Sequence, residues 1–366
     1  MYFDCEGKTM NLTYRSILIL TCIDKLNGER TVYGIYHLLN GKKSSQTIGD
    51  ANLFNLTSLF GILKPLDREL FDKEIKLLHQ LSLIEEIKTP KSNKFIVTDS
   101  GYSFLNSNHK RKPIPKHLNG WKYNDQSLVL WRRLSLLTQV LSNLIDGNKQ
   151  YTPIQQDEAV FEWVKEFLMK NGHNRYVLAE CLYKEVLLSL EKVSELEATI
   201  FVMRLTSSNR IGNTIEQISS LLNEDETWSQ LLFLHTLHTI VKQLEINSEQ
   251  FPILVSMTQT NHDNNVLLTA STNTTYQMLG QGKTIDEIAL VRNLKRNTIE
   301  DHVVEVTHQK PDFSIDPFVS SEHQQMILSA FKMLKTKQLR PIKAKLSDDI
   351  SYFEIRLVLA RHGDIT

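Results

Sequence analysis

The chain has 366 residues, room for two or three ordinary domains, and its 41% hydrophobic and 23% charged residues are a globular composition, not a disordered one. Lys plus Arg and Asp plus Glu number 42 each, so net charge advertises no nucleic-acid partner, and any DNA affinity must come from local patches. The three cysteines, Cys5, Cys22 and Cys181, are far apart, odd in number and without a CxxC, which argues against a disulfide framework or a zinc ribbon and fits a reducing compartment.

Residues 2–9 show no pattern, and Met10 is an alternative start. Residues 14–26 read as a helix with Ile17, Leu20 and Ile23 in phase, stopped by Asn27-Gly28. Its apolar run, 17–20, is far short of the roughly 20 residues a membrane span needs, and the start is no basic signal region, so a cytoplasmic chain without a membrane is expected. A second helix covers 31–39. A third covers 67–82, capped by Asp67, with Leu70, Phe71, Ile75, Leu78 and Leu81 on one face. Strand-like segments 83–87 and 95–98 flank a turn that carries Lys88, Lys91 and Lys94. Helices followed by such a hairpin are the layout of a winged helix.

The polar, basic stretch 106–119 reads as a linker, and 127–259 is helical throughout. Val160, Trp163, Val164, Phe167 and Leu168 mark one buried face, and 186–204 and 228–244 read as long helices. A polar run at 261–265 is a second boundary, and Pro311 and Pro317 mark a loop in the last helical part. The expected architecture is mostly α: a winged-helix domain with a small β-wing (1–106), a basic linker (107–126), a helical domain (127–262) and a helix-turn-helix domain (263–366).

An internal echo relates 212–218 (GNTIEQI) to 282–288 (GKTIDEI). Thr214 and Thr284 both suit a helix cap, so two capped amphipathic helices explain it; a duplicated motif is the other reading. The first copy runs into Asn223-Glu224-Asp225-Glu226, which would repel phosphate.

The sharpest constellation spans 284–306. Ile285, Ile288 and Ala289 face inward from one helix, Asn293-Leu294-Lys295 make a tight turn around an apolar plug, and Thr298, Ile299, Val303 and Val306 continue a second helix. A helix-turn-helix offers the first residues of its second helix to the major groove: here Lys295, Arg296 and Asn297, with His302 further on. A hairpin that only packs is the alternative, because Asp286, Glu287, Glu300, Asp301 and Glu305 outnumber the nearby cations. Downstream, Lys332, Lys335, Lys337, Arg340, Lys343 and Lys345 form a basic run without an acid, suited to phosphate or to a solvated face. The wing lysines could lie along a DNA backbone, with Phe95 beside them either stacking on a base or starting a strand.

Catalytic signals are poor. There is no GxxxxGK[ST], GxGxxG or GxSxG. His235 and His238 share a helix face but have no carboxylate or cysteine near them in sequence, and Asp348-Asp349 suits helix capping better than metal binding. No enzyme and no cofactor are expected.

The pattern from Thr284 and Ile285 through Ile288-Ala289, Arg292, Leu294-Lys295 and Thr298-Ile299 to His302 resembles the helix-turn-helix module at the extreme C-terminus of some RecQ-family helicases. The segment 351–356 (SYFEIR) is similar to the end of that module. Residues 33–98 resemble the RecQ winged helix, through Lys43-Ser44-Ser45-Gln46 and Leu66-Asp67-Arg68-Glu69. End to end, the chain resembles the YpbB family of Firmicute bacteria, associated with a RecQ-like helicase. The ATPase core and the four-cysteine zinc site are missing, and the wing tip Pro90-Lys91-Ser92-Asn93 lacks an aromatic pin. The resemblance implies helicase accessory modules on a separate polypeptide: a bacterial, cytoplasmic, non-catalytic protein, nucleoid-associated when bound. It would bind branched or single-strand-bearing DNA and partner a RecQ-like helicase in repair or recombination, with Trp121 or Trp131 as candidate docking anchors and a core position as the alternative for both. A transcription regulator on duplex operator DNA and a pure protein adaptor are the rival readings.

Overall fold

A computed structural model of the chain describes residues 2–3, 9–10, 12–87, 93–171, 174–259 and 268–362. Two short strands, β1 (Tyr2–Phe3) and β2 (Thr9–Met10), pair antiparallel in the stretch that shows no sequence pattern. Helix α1 (Tyr14–Leu26) ends where Asn27 and Gly28 take left-handed backbone, φ 42° and 69°. Helix α2 (Val32–Leu39) follows, and then α3 (Ser45–Leu53), capped by the Ser44 hydroxyl on the amide of Thr47. The polar composition of α3 hides it from sequence periodicity. Asp67 opens α4 (Arg68–Gln80) by accepting from the Leu70 amide at 2.8 Å.

The small wing is an antiparallel pair, β3 (Ile84–Glu86) and β4 (Phe95–Val97), with Glu85 opposite Ile96. Helix α5 (Asp99–Arg111) packs closely beneath it: a Cβ on Gly101 would fall 2.2 Å from the Leu83 carbonyl oxygen, so only glycine fits there.

The expected linker 107–126 is mostly structured. Its first residues end α5, and Asn119 caps α6 (Gly120–Ile145). Between them Lys112 pairs with Glu224, and Leu118 is buried. Helices α7 (Glu158–Asn171) and α8 (Arg175–Leu190) come next. The helix expected at 186–204 is two helices, because Ser194 and Glu197 form a capping box that opens α9 (Glu195–Met203). Helices α10 (Ile215–Leu222), α11 (Glu226–Ile246) and α12 (Pro252–Thr258) complete the middle of the chain. The last part holds α13 (Ala270–Gly280), α14 (Ile285–Val291), α15 (Arg296–Gln309), α16 (Ser321–Leu334), α17 (Leu339–Lys343) and α18 (Tyr352–His362).

Contacts group the chain into two compact units. One is Met1–Leu18 with Asn108–Asp263; the other is Ile19–Ser107 with Asn264–Thr366. The winged-helix and helix-turn-helix segments, expected as separate domains, share the second unit. Helix α3 joins them by packing on α15 and α18. Leu53 lies against the C-terminal core, built on Ile288, Ile299, Val303, Ile327, Phe331 and Leu357. The first unit centres on α11, whose Trp228, Leu231, Phe233, Leu237 and Val241 are buried. Trp131 is half-buried and stands edge-on to Phe201 and Phe233, at centroid distances of 5.5 and 4.8 Å, as part of an aromatic cluster. No helix among the described residues is long and apolar enough to cross a membrane.

Candidate nucleic-acid interface

Local chemistry builds the helix-turn-helix. The Thr284 hydroxyl accepts from the Glu287 amide at 3.3 Å, and the Glu287 carboxylate accepts from the Thr284 amide at 2.8 Å. This box starts α14 and turns Ile285 and Ile288 into the core. Asn293 adopts φ 51°, and the Leu294 amide donates to the Ala289 carbonyl at 3.0 Å. Leu294 plugs the turn against the core, and α15 buries Ile299, Val303 and Val306. Arg292 fastens the pair to α13 by donating to the Ser271 carbonyl at 2.8 Å, the Ser271 hydroxyl at 2.9 Å and the Thr275 hydroxyl. Its place in the motif marks it in the sequence; its role as a staple does not show there.

Lys295, Arg296 and Asn297 are all exposed at the start of α15. Beyond its first turn the helix is a core element, packed by α3, α13, α14 and α18 and buried continuously from His302 to Thr307. His302, expected further along the reading surface, is buried instead and bonds the Thr275 hydroxyl at 2.8 Å through Nδ1. Burial, with Arg292 beside it, lowers its pKa and so favours the neutral ring. Only the first turn of α15 can therefore enter a groove.

The acids that crowd this motif in sequence have structural partners. Glu305 is buried and accepts from the Thr269 amide at 2.6 Å and the Thr272 hydroxyl at 2.8 Å, which holds the start of α13. Burial raises its pKa even against these donors. Asp301 pairs with Arg356. Asp286 and Glu300 both pair with Arg296, the latter at 3.1 Å, so Arg296 is exposed but its charge is matched. Lys295 makes no ion pair among the described residues.

The downstream basic run does not form one helix face. Helix α16 ends at Leu334, Lys335 takes a left-handed backbone at φ 48°, and the rest continues into the short α17. Lys332, Lys335, Arg340 and Lys345 are exposed. Lys337 is consumed internally: its amide donates to Glu29 at 2.8 Å, its ammonium donates to the Leu53 carbonyl, and it lies 5.4 Å from the centre of the Phe54 ring. Lys343 donates to the Ser347 and Asp348 carbonyls at 2.9 and 3.2 Å.

At the wing, Lys88 and Lys91 lie outside the described residues. Lys94 reaches the Glu29 carbonyl at 3.4 Å. Glu29 thus ties the wing base and the basic run together, a hub no local pattern announces. Phe95 opens β4 half-buried, edge-on to His79 at 5.9 Å, and so is a strand residue. Arg340 lines a cavity of about 590 Å³ with Arg30 and Arg356, where Asp50 and Asp301 match the other two charges.

Two further expectations change. Glu197, 38 positions before His235 in sequence, bonds its Nδ1, so a carboxylate does stand beside that histidine. His238 accepts from the Asn119 amide at 3.1 Å and meets Asn124 at 3.0 Å, and burial pushes its pKa down to about 3. Among the described residues no group of three or more metal-binding side chains is assembled. Asp348 and Asp349 do not cap α18; Ser351 and Glu354 do, and Asp349 pairs with His323 at 3.2 Å.

Residues 271–359 match a family described as a helix-turn-helix domain. The chain is 36% identical over 353 residues to Protein YpbB of Bacillus subtilis (strain 168), covering 96% of this chain and 98% of that one. No solved structure matches. With motif, fold and nearly full-length similarity in agreement, the chain belongs to the YpbB family.

Proposed function

We propose that this chain is a non-catalytic accessory protein that binds branched or single-strand-bearing DNA and works beside a RecQ-like helicase in repair or recombination. The observation that carries the reading is a helix-turn-helix whose leading turn exposes Lys295 and Asn297, in the compact unit that also exposes Lys332, Lys335, Arg340 and Lys345. Cations of this kind neutralise phosphates, and phosphate contacts position a protein without reading sequence. A recognition helix that offers one turn has few side chains for base edges. That favours recognition of structure over an operator sequence, and so favours the accessory factor over the transcription regulator. The adaptor reading draws on one specific observation, the matching of Arg296 by Asp286 and Glu300.

The test is fluorescence anisotropy on forked, single-stranded and duplex DNA across a salt series. With about four phosphates contacted, log K should fall with log salt at a slope of roughly −3 to −4. Reversing Lys332, Lys335, Arg340 and Lys345 to Glu should abolish binding and leave the thermal melt unchanged. Unchanged affinity would replace this reading with the adaptor. Size-exclusion co-elution with a RecQ-like helicase after nuclease treatment tests the partner; separate elution at micromolar concentration, with unwinding indifferent to the protein, would remove it. The pure chain should turn over no ATP.

A further inference from the structure

Helix α8 is apolar on both sides, and one side is exposed among the described residues. Leu178, Leu182, Ser189 and Leu190 point inward, and Glu185 turns in to accept from the Ile253 and Leu254 amides at 3.1 and 2.9 Å. The opposite side exposes Tyr176 (68%), Tyr183 (64%), Val177, Leu187 and Leu188. Monomeric proteins rarely leave so many large apolar side chains of one helix face to water. At 100° per residue these side chains flank Glu180 and Lys184, which pair at 2.6 Å in the middle of the face and are themselves exposed.

We propose that this face binds a second copy of the chain, with the two α8 helices antiparallel about a twofold axis. The face is self-complementary. In a twofold contact each residue meets its counterpart's partner, so an interface must match its own reversed sequence. Centring the axis at residue 182 sets Glu180 opposite Lys184 of the second copy, twice over, and closes a ring of four alternating charges. The same register sets Val177 opposite Leu187 of the second copy, with Tyr176 and Leu188 on the two flanks of the seam. Charge and apolar surface are thus matched by one register, without unpaired charge. Tyrosines at such a seam supply large contact area at little entropic cost.

Sedimentation equilibrium of the full chain without DNA tests this. The wild type should show twice the 42.3 kDa chain mass at micromolar concentration. Glu180→Lys and Lys184→Glu each place like charges across the seam and should each weaken association about ten-fold or more. The double variant Glu180→Lys with Lys184→Glu restores the ring and should recover the dimer; since both residues are exposed, all three variants should keep the wild-type circular dichroism. A monomer at tens of micromolar, or a dimer indifferent to the single reversals, overturns the proposal. If the wild type is monomeric and the single reversals instead abolish co-elution with a RecQ-like helicase, the face belongs to that partner and the second copy is excluded. DNA affinity plays no part in these measurements, so they stand or fall apart from the anisotropy results.

Discussion

Residues 214–246 and 284–309 carry one local grammar twice, each position in the second copy 70 residues beyond its counterpart, and end with different surfaces. Thr214 and Thr284 both close capping boxes. Ile218 and Ile288 are both fully buried, and Asn223 and Asn293 both take left-handed backbone, at φ 54° and 51°. Even the turn closes alike: the Glu224 amide reaches the Ser219 carbonyl at 2.9 Å, as Leu294 reaches Ala289 at 3.0 Å. The copies part at the next residue. Asp225 caps α11 by accepting from the Trp228 amide at 2.9 Å, and it also takes the Tyr14 amide at 3.1 Å. Thr227 and Trp228 are already buried there. Lys295 makes no side-chain cap, and the matching turn stands in solvent. The hairpin is therefore a packing device that both units use, and the chemistry of one helical turn decides whether it can meet phosphate.

The largest test of that comparison is a matched pair of core charges. Ile218→Asp and Ile288→Asp should each cost at least about 4 kcal/mol, because a buried unpaired carboxylate has no compensating partner. Hydrogen exchange should show protection lost from the first unit in one variant and from the second unit in the other. A fully protected Ile288→Asp protein would show that the faces of α14 are misassigned.

The next effect is on pH. His238 and His308 are counterparts on the two long helices. Burial, with His235 near the first and Arg361 near the second, pushes them from 6.5 down to about 3 and about 4. Unfolding lets such a base take up a proton, so both units hold this stability above about pH 6.5 and lose it as pH falls toward 4 and below. Unit-resolved hydrogen exchange between pH 7.5 and 4.5 should show both weakening. The His308 ring makes no hydrogen bond among the described residues, so His308→Leu should flatten the fall of the second unit alone. Equal acid sensitivity of that variant and the wild type would remove His308 as a cause.

The smallest effect sharpens the shared turn. Asn223→Ala and Asn293→Ala each put an L-alanine at positive φ and should cost about 1 kcal/mol, whereas the glycine variants should be neutral within about 0.5 kcal/mol. Urea midpoints that moved in only one copy would mean that the turns are not equivalent.

What the sequence alone determined about this protein is local. Capping boxes, left-handed Asn and Gly stops and apolar periodicity depend on neighbours within four residues, and they placed α1, α4, α14 and the wing strands within a residue or two. Family membership was legible for the same reason, through a run of motif residues read in order. Tertiary structure alone decided which charges are free. Lys337 looks like Lys332 and Lys345 in a basic run, yet Glu29 and the Leu53 carbonyl engage it. Asp301 and Glu305 look like a repulsive acidic face, yet Arg356 and the start of α13 take them up. His302 looks like part of a reading helix, yet α15 is surrounded by four others. The sequence separates these partners by 30 to more than 300 positions, and an ion pair or helix cap depends on distance in space. No periodicity along the chain encodes that distance.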